Sequence, residues 1–176
     1  MFANLSVSKK SAVAFFCLAL IGTIAGGFSY YKSASVANSV KVTTSIGHAT
    51  NDAMKLEMLI LNQALAYKTF LTTGDRALLT QAEGFTAQID TLYGKMKSDF
   101  DTQAPASMQQ KLAAIDEAWK AWRANFVDKQ IDFMRDPSTV DMARALELTK
   151  DRQSLLDAIE NANSALLSEL DGKRQE

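Results

Sequence analysis

The chain is poor in the residues that most chemistry needs. It has one cysteine, Cys17, so no disulfide can form within it. It has one histidine, His48, with no second histidine or thiol to share a metal. A solvated helix histidine is the plainer reading, and no metal site is expected. Two prolines and eight glycines fall at breaks or isolated points. Alternating Val/Ile/Thr runs of the kind strands require are missing. No Ser-His-Asp set, phosphate loop or haem-attachment motif occurs, so the sequence points away from an enzyme and from any cofactor. Asp99 and Asp101 are not followed by further ligand spacing.

Acidic residues are absent before Asp52, and the chain there is apolar instead. Residues 11–31 carry no charge, long enough for a helix that crosses roughly 30 Å of hydrocarbon. Phe28, Tyr30, Tyr31 and Lys32 form an aromatic and basic rim suited to a membrane interface. A cleaved leader is the alternative, with Ser35-Val36-Ala37 as its cut site, but its core would be shorter and nearer the cut. Lys9 and Lys10 precede the run and keep the N-terminus inside. The division read from this is 1–10 cytoplasmic, 11–31 a transmembrane anchor, 33–172 an external domain and 173–176 a tail. In a bacterium with two membranes, the domain is periplasmic and the chain sits in the inner membrane by a single pass. Of 19 basic residues, Lys9, Lys10 and Lys32 belong to the anchor, and the rest against 20 acids leave a net charge of −4. A mildly acidic domain is not a nucleic-acid binder.

Beyond the anchor, apolar residues recur at three and four, the period of amphipathic helices. Helix one carries Ile46, Ala49, Ala53, Leu56, Ile60, Gln63, Tyr67 and Phe70 in 3-4 steps, a coiled-coil seam. Gly74 is placed to close it and Asp75 to cap the next helix. Helix two runs Leu78, Ala82, Phe85, Ile89, Leu92 and Met96. Pro105 suits the first turn of helix three, whose seam is Leu112, Ile115, Trp119, Trp122, Phe126 and Phe133, with Lys129 filling one step. Ser138 and Asp141 resemble a capping box. Helix four carries Ala145, Leu148, Arg152, Leu155, Ile159, Ala162 and Leu166. A second stripe on it is Met142, Leu146, Thr149, Gln153, Leu156, Asn163, Leu167 and Leu170. Short connections make neighbours antiparallel. The expected fold is all-α: a transmembrane helix continuing into an antiparallel up-down-up-down four-helix bundle.

"YKTFLTTGD" resembles the end of the first helix in the CHASE class-three extracellular sensor domain. Phe70, Leu71, Thr73, Gly74 and Asp75 fit that motif, while Tyr67, Lys68, Thr69 and Thr72 depart from it. "SDFDTQAPASMQQKLAAIDEAW" resembles the family's acidic, proline-broken passage into its third helix. The likeness spans roughly 33–172, and the related four-helix sensor domains of methyl-accepting chemotaxis receptors and sensor histidine kinases share its features. The resemblance implies a homodimeric sensor that passes a conformational signal down its last helix. Receptors of this kind re-enter the membrane after helix four and continue into a HAMP linker and an output module. The sequence ends at "LLSELDGKRQE", where that span is expected. It reads either as a piece of a longer receptor or as a short anchored protein acting through a partner chemoreceptor.

Polar residues interrupt the seams at Gln63, Lys129 and Arg152, and buried charge is costly unless paired. With helices aligned at the loops, Gln63, Phe85, Trp119 and Arg152 fall at one height. Gln63, Trp119, Trp122 and Arg152 are therefore candidate ligand-binding residues for a small carboxylate or aromatic molecule: arginine forks onto carboxylates and tryptophan offers a flat wall. The plainer alternative makes both tryptophans core and Arg152 the partner of an acid. For Thr73, Gly74, Asp75 and Arg76 the plainer role is capping. The expected function is an extracytoplasmic sensor module, and the alternative is an interaction bundle with no ligand of its own.

Overall fold

Apolar residues at helical spacing fold as helices throughout the computed structural model, which describes Thr23 and residues 44–175. The chain divides into two compact units, Met1–Ser45 and Ile46–Glu176, and nearly all the described residues belong to the second. The proposed anchor, 11–31, lies outside the described residues save for Thr23. Among the described residues no helix is long and apolar enough to cross a membrane.

The elements are α1 over 44–73, α2 Arg76–Gln103, α3 Ala106–Trp122, a π-helical segment Arg123–Val127, α4 Asp128–Phe133, α5 Val140–Glu147 and α6 Lys150–Gln175. No strand occurs among the described residues. Cross-helix bonds give the directions. Asp52 pairs with Lys95 while Gln63, further along α1, reaches back to Ala82, so α1 and α2 are antiparallel. Gln63 meets Trp119 and Tyr67 meets Trp122, so α1 and α3 run the same way. Lys111 and Ser107 both bind Glu169, joining the start of α3 to the end of α6. Those donors hold the Glu169 carboxyl below its ordinary pKa, Lys111 most of all.

The inner faces of α1 and α2 follow the sequence pattern. Ala53, Leu56, Ile60, Gln63, Tyr67 and Phe70 are buried, as are Ala82, Ile89, Leu92 and Met96, with Phe85 half-buried against them. Apart from Phe70 and the polar Gln63, these meet Leu112, Ile115, Trp119 and Trp122 of α3 and Ile159, Leu166 and Leu170 of α6 in one core. His48 is exposed on α1.

The α1–α2 corner is built as its residues suggest. Gly74 adopts φ +71°, the left-handed conformation only glycine takes freely, and its N–H donates to the Phe70 carbonyl at 2.7 Å. Asp75 then accepts from the Ala77 N–H at 2.9 Å. The other two corners differ from expectation in detail. Pro105 is the cap before α3 rather than inside its first turn. Ser138 does not cap a helix: its N–H and hydroxyl both donate to Asp136, and the cap position of α5 falls to Thr139, whose side chain makes no capping bond.

Two irregularities rewrite the second half. In the π-helical segment the Asp128 N–H reaches back five residues to the Arg123 carbonyl, which inserts one extra residue into the turn. The seam therefore moves from Lys129, which is exposed, to Gln130, which is buried. Phe133 is left half-buried against a small second core of Phe70, Leu71 and Ala143. Helix four is also two helices, since α5 ends at Glu147 and α6 starts at Lys150. The break turns Ala145 and Leu148 out of the seam; Leu148 is 86% exposed, and Ala143 is buried in the α5 segment instead.

Gly74→Ala should cost about 1–2 kcal/mol, the penalty of a Cβ in the left-handed conformation, since open space around it rules out a clash. Urea unfolding followed by far-ultraviolet circular dichroism checks this.

Candidate functional site

Gln63 sits on the inner face of α1 because it occupies a seam step, and a seam amide must bond within the protein. It is fully buried, 0% exposed. Its Oε1 accepts from the Trp119 indole Nε1 at 2.8 Å. Its Nε2 donates to the Ala82 carbonyl at 3.2 Å and to Thr86 Oγ1 at 2.6 Å. One side chain thus ties α1 to α2 and α3. Trp119 stacks under the Arg123 guanidinium, 5.2 Å from the ring centre, a cation–π contact.

Trp122 lies one turn on, also buried, edge-on to Tyr67 with ring centres 6.0 Å apart. Burial raises the pKa of the Tyr67 hydroxyl. The indole Nε1 of Trp122 has no hydrogen-bond partner, and neither has Nε of Arg123 or of Arg152.

Arg152 does not share the Gln63 layer. Asn163 donates to Glu57 at 2.9 Å, which sets residue 157, not 152, opposite Gln63. Arg152 therefore lies five residues, about 7 Å on the helical rise, nearer the α1–α2 corner. The break in helix four is the reason, because helices cannot be aligned at a loop that is itself helical. There Arg152 meets Glu147, Nη2 to Oε1 at 2.8 Å. The other Glu147 oxygen accepts from Gln130 Nε2 at 3.3 Å, which also donates to the Ala143 carbonyl at 3.2 Å. Burial lowers the Arg152 pKa and the Glu147 charge opposes that shift. On that register Arg152 lies at the height of Tyr67 and Trp122. The four candidate residues thus form two adjacent layers, Gln63 with Trp119 and then Trp122 with Arg152.

Gln130 and Glu147 were not legible as site residues, because only the π-helical segment turns Gln130 inward. A separate cleft of about 320 Å³ opens between α2 and α3 at the opposite end, lined by residues that include Tyr93, Lys97, Phe100 and Gln110. Among the described residues no cluster of acids, histidines or thiols could hold a metal ion.

The "FLTTGD" residues are architectural in this geometry. Phe70 and Leu71 are buried in the small second core, where Arg144 Nε donates to the Leu71 carbonyl at 3.2 Å. Thr73 Oγ1 accepts from the Asp75 N–H, and Gly74 and Asp75 stop one helix and start the next. Arg76 opens α2 and is exposed.

The family model of the CHASE3 domain matches residues 45–176, three quarters of the chain. The chain belongs to the CHASE3 domain family. CHASE3 domains are helical, extracellular and sensory, and occur in signal transducers. Neither curated proteins nor solved structures yield a significant match. The matched span begins within α1 and covers every element of this CHASE3 domain from the first seam onward, including the α1–α2 corner and both polar layers.

Glu147→Ala strands the buried Arg152 charge and should cost about 3 kcal/mol. Adding Arg152→Met should restore most of that loss. Chemical denaturation of the two variants measures both steps.

Proposed function

We propose that this chain is the extracytoplasmic sensing module of a membrane-anchored, chemoreceptor-like signal transducer, set in a bacterial inner membrane by residues 11–31 with the bundle in the periplasm. The antiparallel four-helix arrangement standing on that span is part of the same reading, and it works as a homodimer without catalysing a reaction. Family membership supports the sensory role, and the uncharged run 11–31 supports the anchor.

One observation carries the ligand part. Trp122 Nε1 and Arg152 Nε are buried donors at one height, and neither has an acceptor within the protein. A buried donor left unmade costs about 1–3 kcal/mol, so such a pair is retained where an acceptor arrives from outside. The fitting ligand is a small molecule with a carboxylate or carbonyl group and an apolar body to lie on Trp122 and Tyr67.

The same layer adjoins the break between α5 and α6. Glu147 and Arg152 are five residues apart, about 140° around a continuous helix, and cannot pair on one. Their ion pair therefore belongs to the broken form. A ligand that takes Arg152 from Glu147 favours a straighter helix four, which returns Ala145 and Leu148 to the seam their spacing suits. Binding moves this equilibrium only through different affinity for the two packings.

A second reading, an interaction bundle without ligand that dimerises or pairs with a partner receptor, is favoured by the exposed apolar residues of α1. Binding separates the two. Small carboxylates should shift the tryptophan emission of the full chain saturably and raise its melting temperature, with a gain in stability of about 2.7 kcal/mol at a hundred times Kd. Arg152→Met should remove that response and keep the helical fold. A broad carboxylate and carbonyl panel with no shift in either signal would favour the second reading.

A further inference from the structure

The cleft between α2 and α3 takes no part in the polar layers. Ala113, the α3 lining residue nearest to Trp122 along the chain, is still about 13 Å from it on the helical rise. The cleft follows from residue size. Tyr93, Lys97 and Phe100 line it from α2 at steps of four and three, which is one face of that helix. Ala106, Gln110 and Ala113 line it from α3 at the same steps. The two alanines offer only methyl groups on that face, where longer side chains would close the gap. The space left is about 320 Å³, at the low end of the range for small-molecule sites.

Its walls are held in place. Phe100 and Leu112, both buried, supply an apolar side. Gln109 Nε2 donates to the Phe100 carbonyl at 3.1 Å and to the Ala104 carbonyl at 3.2 Å, which ties the end of α2 to α3. The Lys120 Nζ stands over the Tyr93 ring, 5.9 Å from its centre. Burial and the nearby Asp116 carboxylate raise the pKa of the Tyr93 hydroxyl, so that wall is uncharged.

The mouth carries both signs of charge. Lys97 Nζ meets the Asp101 carboxylate at 2.7 Å, and the two side chains are 57% and 50% exposed. An exposed ion pair one turn apart contributes little to stability, so it opens at little cost to the fold. A lone anion that took Lys97 would meet Asp101 as a like charge. A molecule bearing both charges replaces one surface pair by two and leaves neither side chain unpaired. Its apolar part then lies against aromatic walls.

We propose that this cleft binds a small zwitterion with an apolar body, of the free amino-acid class. Its carboxylate meets Lys97, its ammonium meets Asp101, and its side chain lies against Tyr93 and Phe100. This is a second site beside the sensing reading, and it does not depend on the Trp122–Arg152 layer.

The test is isothermal titration calorimetry of the full chain in a non-ionic detergent, with L-leucine, L-methionine and L-phenylalanine as probes. At least one should bind saturably. Its N-acetyl derivative lacks the ammonium and its amide lacks the carboxylate. Each should bind at least about tenfold more weakly, the worth of one hydrogen bond to a charged group. Lys97→Gln should weaken binding by a similar factor, and so should Ala113→Leu, which fills the space, both with unchanged circular dichroism. Arg152→Met should leave the affinity within about twofold, as a distant site does. No saturable heat from any probe overturns the proposal, and so do derivatives that bind as well as the parent amino acid. Binding that Arg152→Met abolishes and Lys97→Gln leaves intact also overturns it, because the ligand then sits in the other layer. Glycerophosphoethanolamine, a lipid headgroup with both charges and no apolar body, should bind more weakly than the amino acid. Tighter binding overturns the amino-acid assignment in favour of a lipid source.

Discussion

A single amide holds α1, α2 and α3 in register. Gln63 is buried to the last atom, so each hydrogen bond it could lose carries a desolvation cost. It bonds the indole of Trp119 on α3 and the Ala82 and Thr86 groups on α2. Sliding α1 by one turn would break these together. Apolar side chains alone would tolerate that slide, because seams repeat every three or four residues. The polar layer makes one alignment the answer.

The rest of the architecture depends on that alignment. With α1 fixed against α2 and α3, Tyr67 meets Trp122 edge-on, and Glu57 is placed for Asn163 on α6. Asn163 keeps one oxygen unbonded, and Trp122, Arg123 and Arg152 keep one donor each. The unmet donors of Trp122, Arg123 and Arg152 thus lie toward the α1–α2 corner, where the π-helical segment and the break in helix four also lie. The other end is fastened by Lys95 with Asp52 and by Lys111 with Glu169.

Much of this could be read directly from residue spacing. The seams of α1 and α2 keep their spacing from end to end, Gln63 included, so periodicity alone found Ala53 to Phe70 and Ala82 to Met96. The corner was legible because glycine and aspartate have specific backbone roles there. Burial of Gln63 and Arg152 also followed from the pattern. The second half was less legible for a physical reason. A π-helical segment costs one residue of register and leaves no mark in composition, so Lys129 stood where Gln130 belongs. The break after Glu147 is likewise silent, since Ala145, Leu148 and Arg152 keep perfect helical spacing across it. A second, outer apolar line of α1 was present in the sequence, at the same spacing as the inner one, but eclipsed by it. Only the exposure of Met54, Met58, Leu61 and Leu65 distinguishes it from the filled seam.

The most direct test of this account is a double-mutant cycle on Gln63→Leu and Trp119→Phe, followed by urea unfolding. If the amide–indole bond fixes the helix register, the two changes will be coupled by about 1 kcal/mol or more, in the range found for residues in one buried network. Additivity within about 0.5 kcal/mol, as for distant sites, would contradict it and leave the register to apolar packing alone.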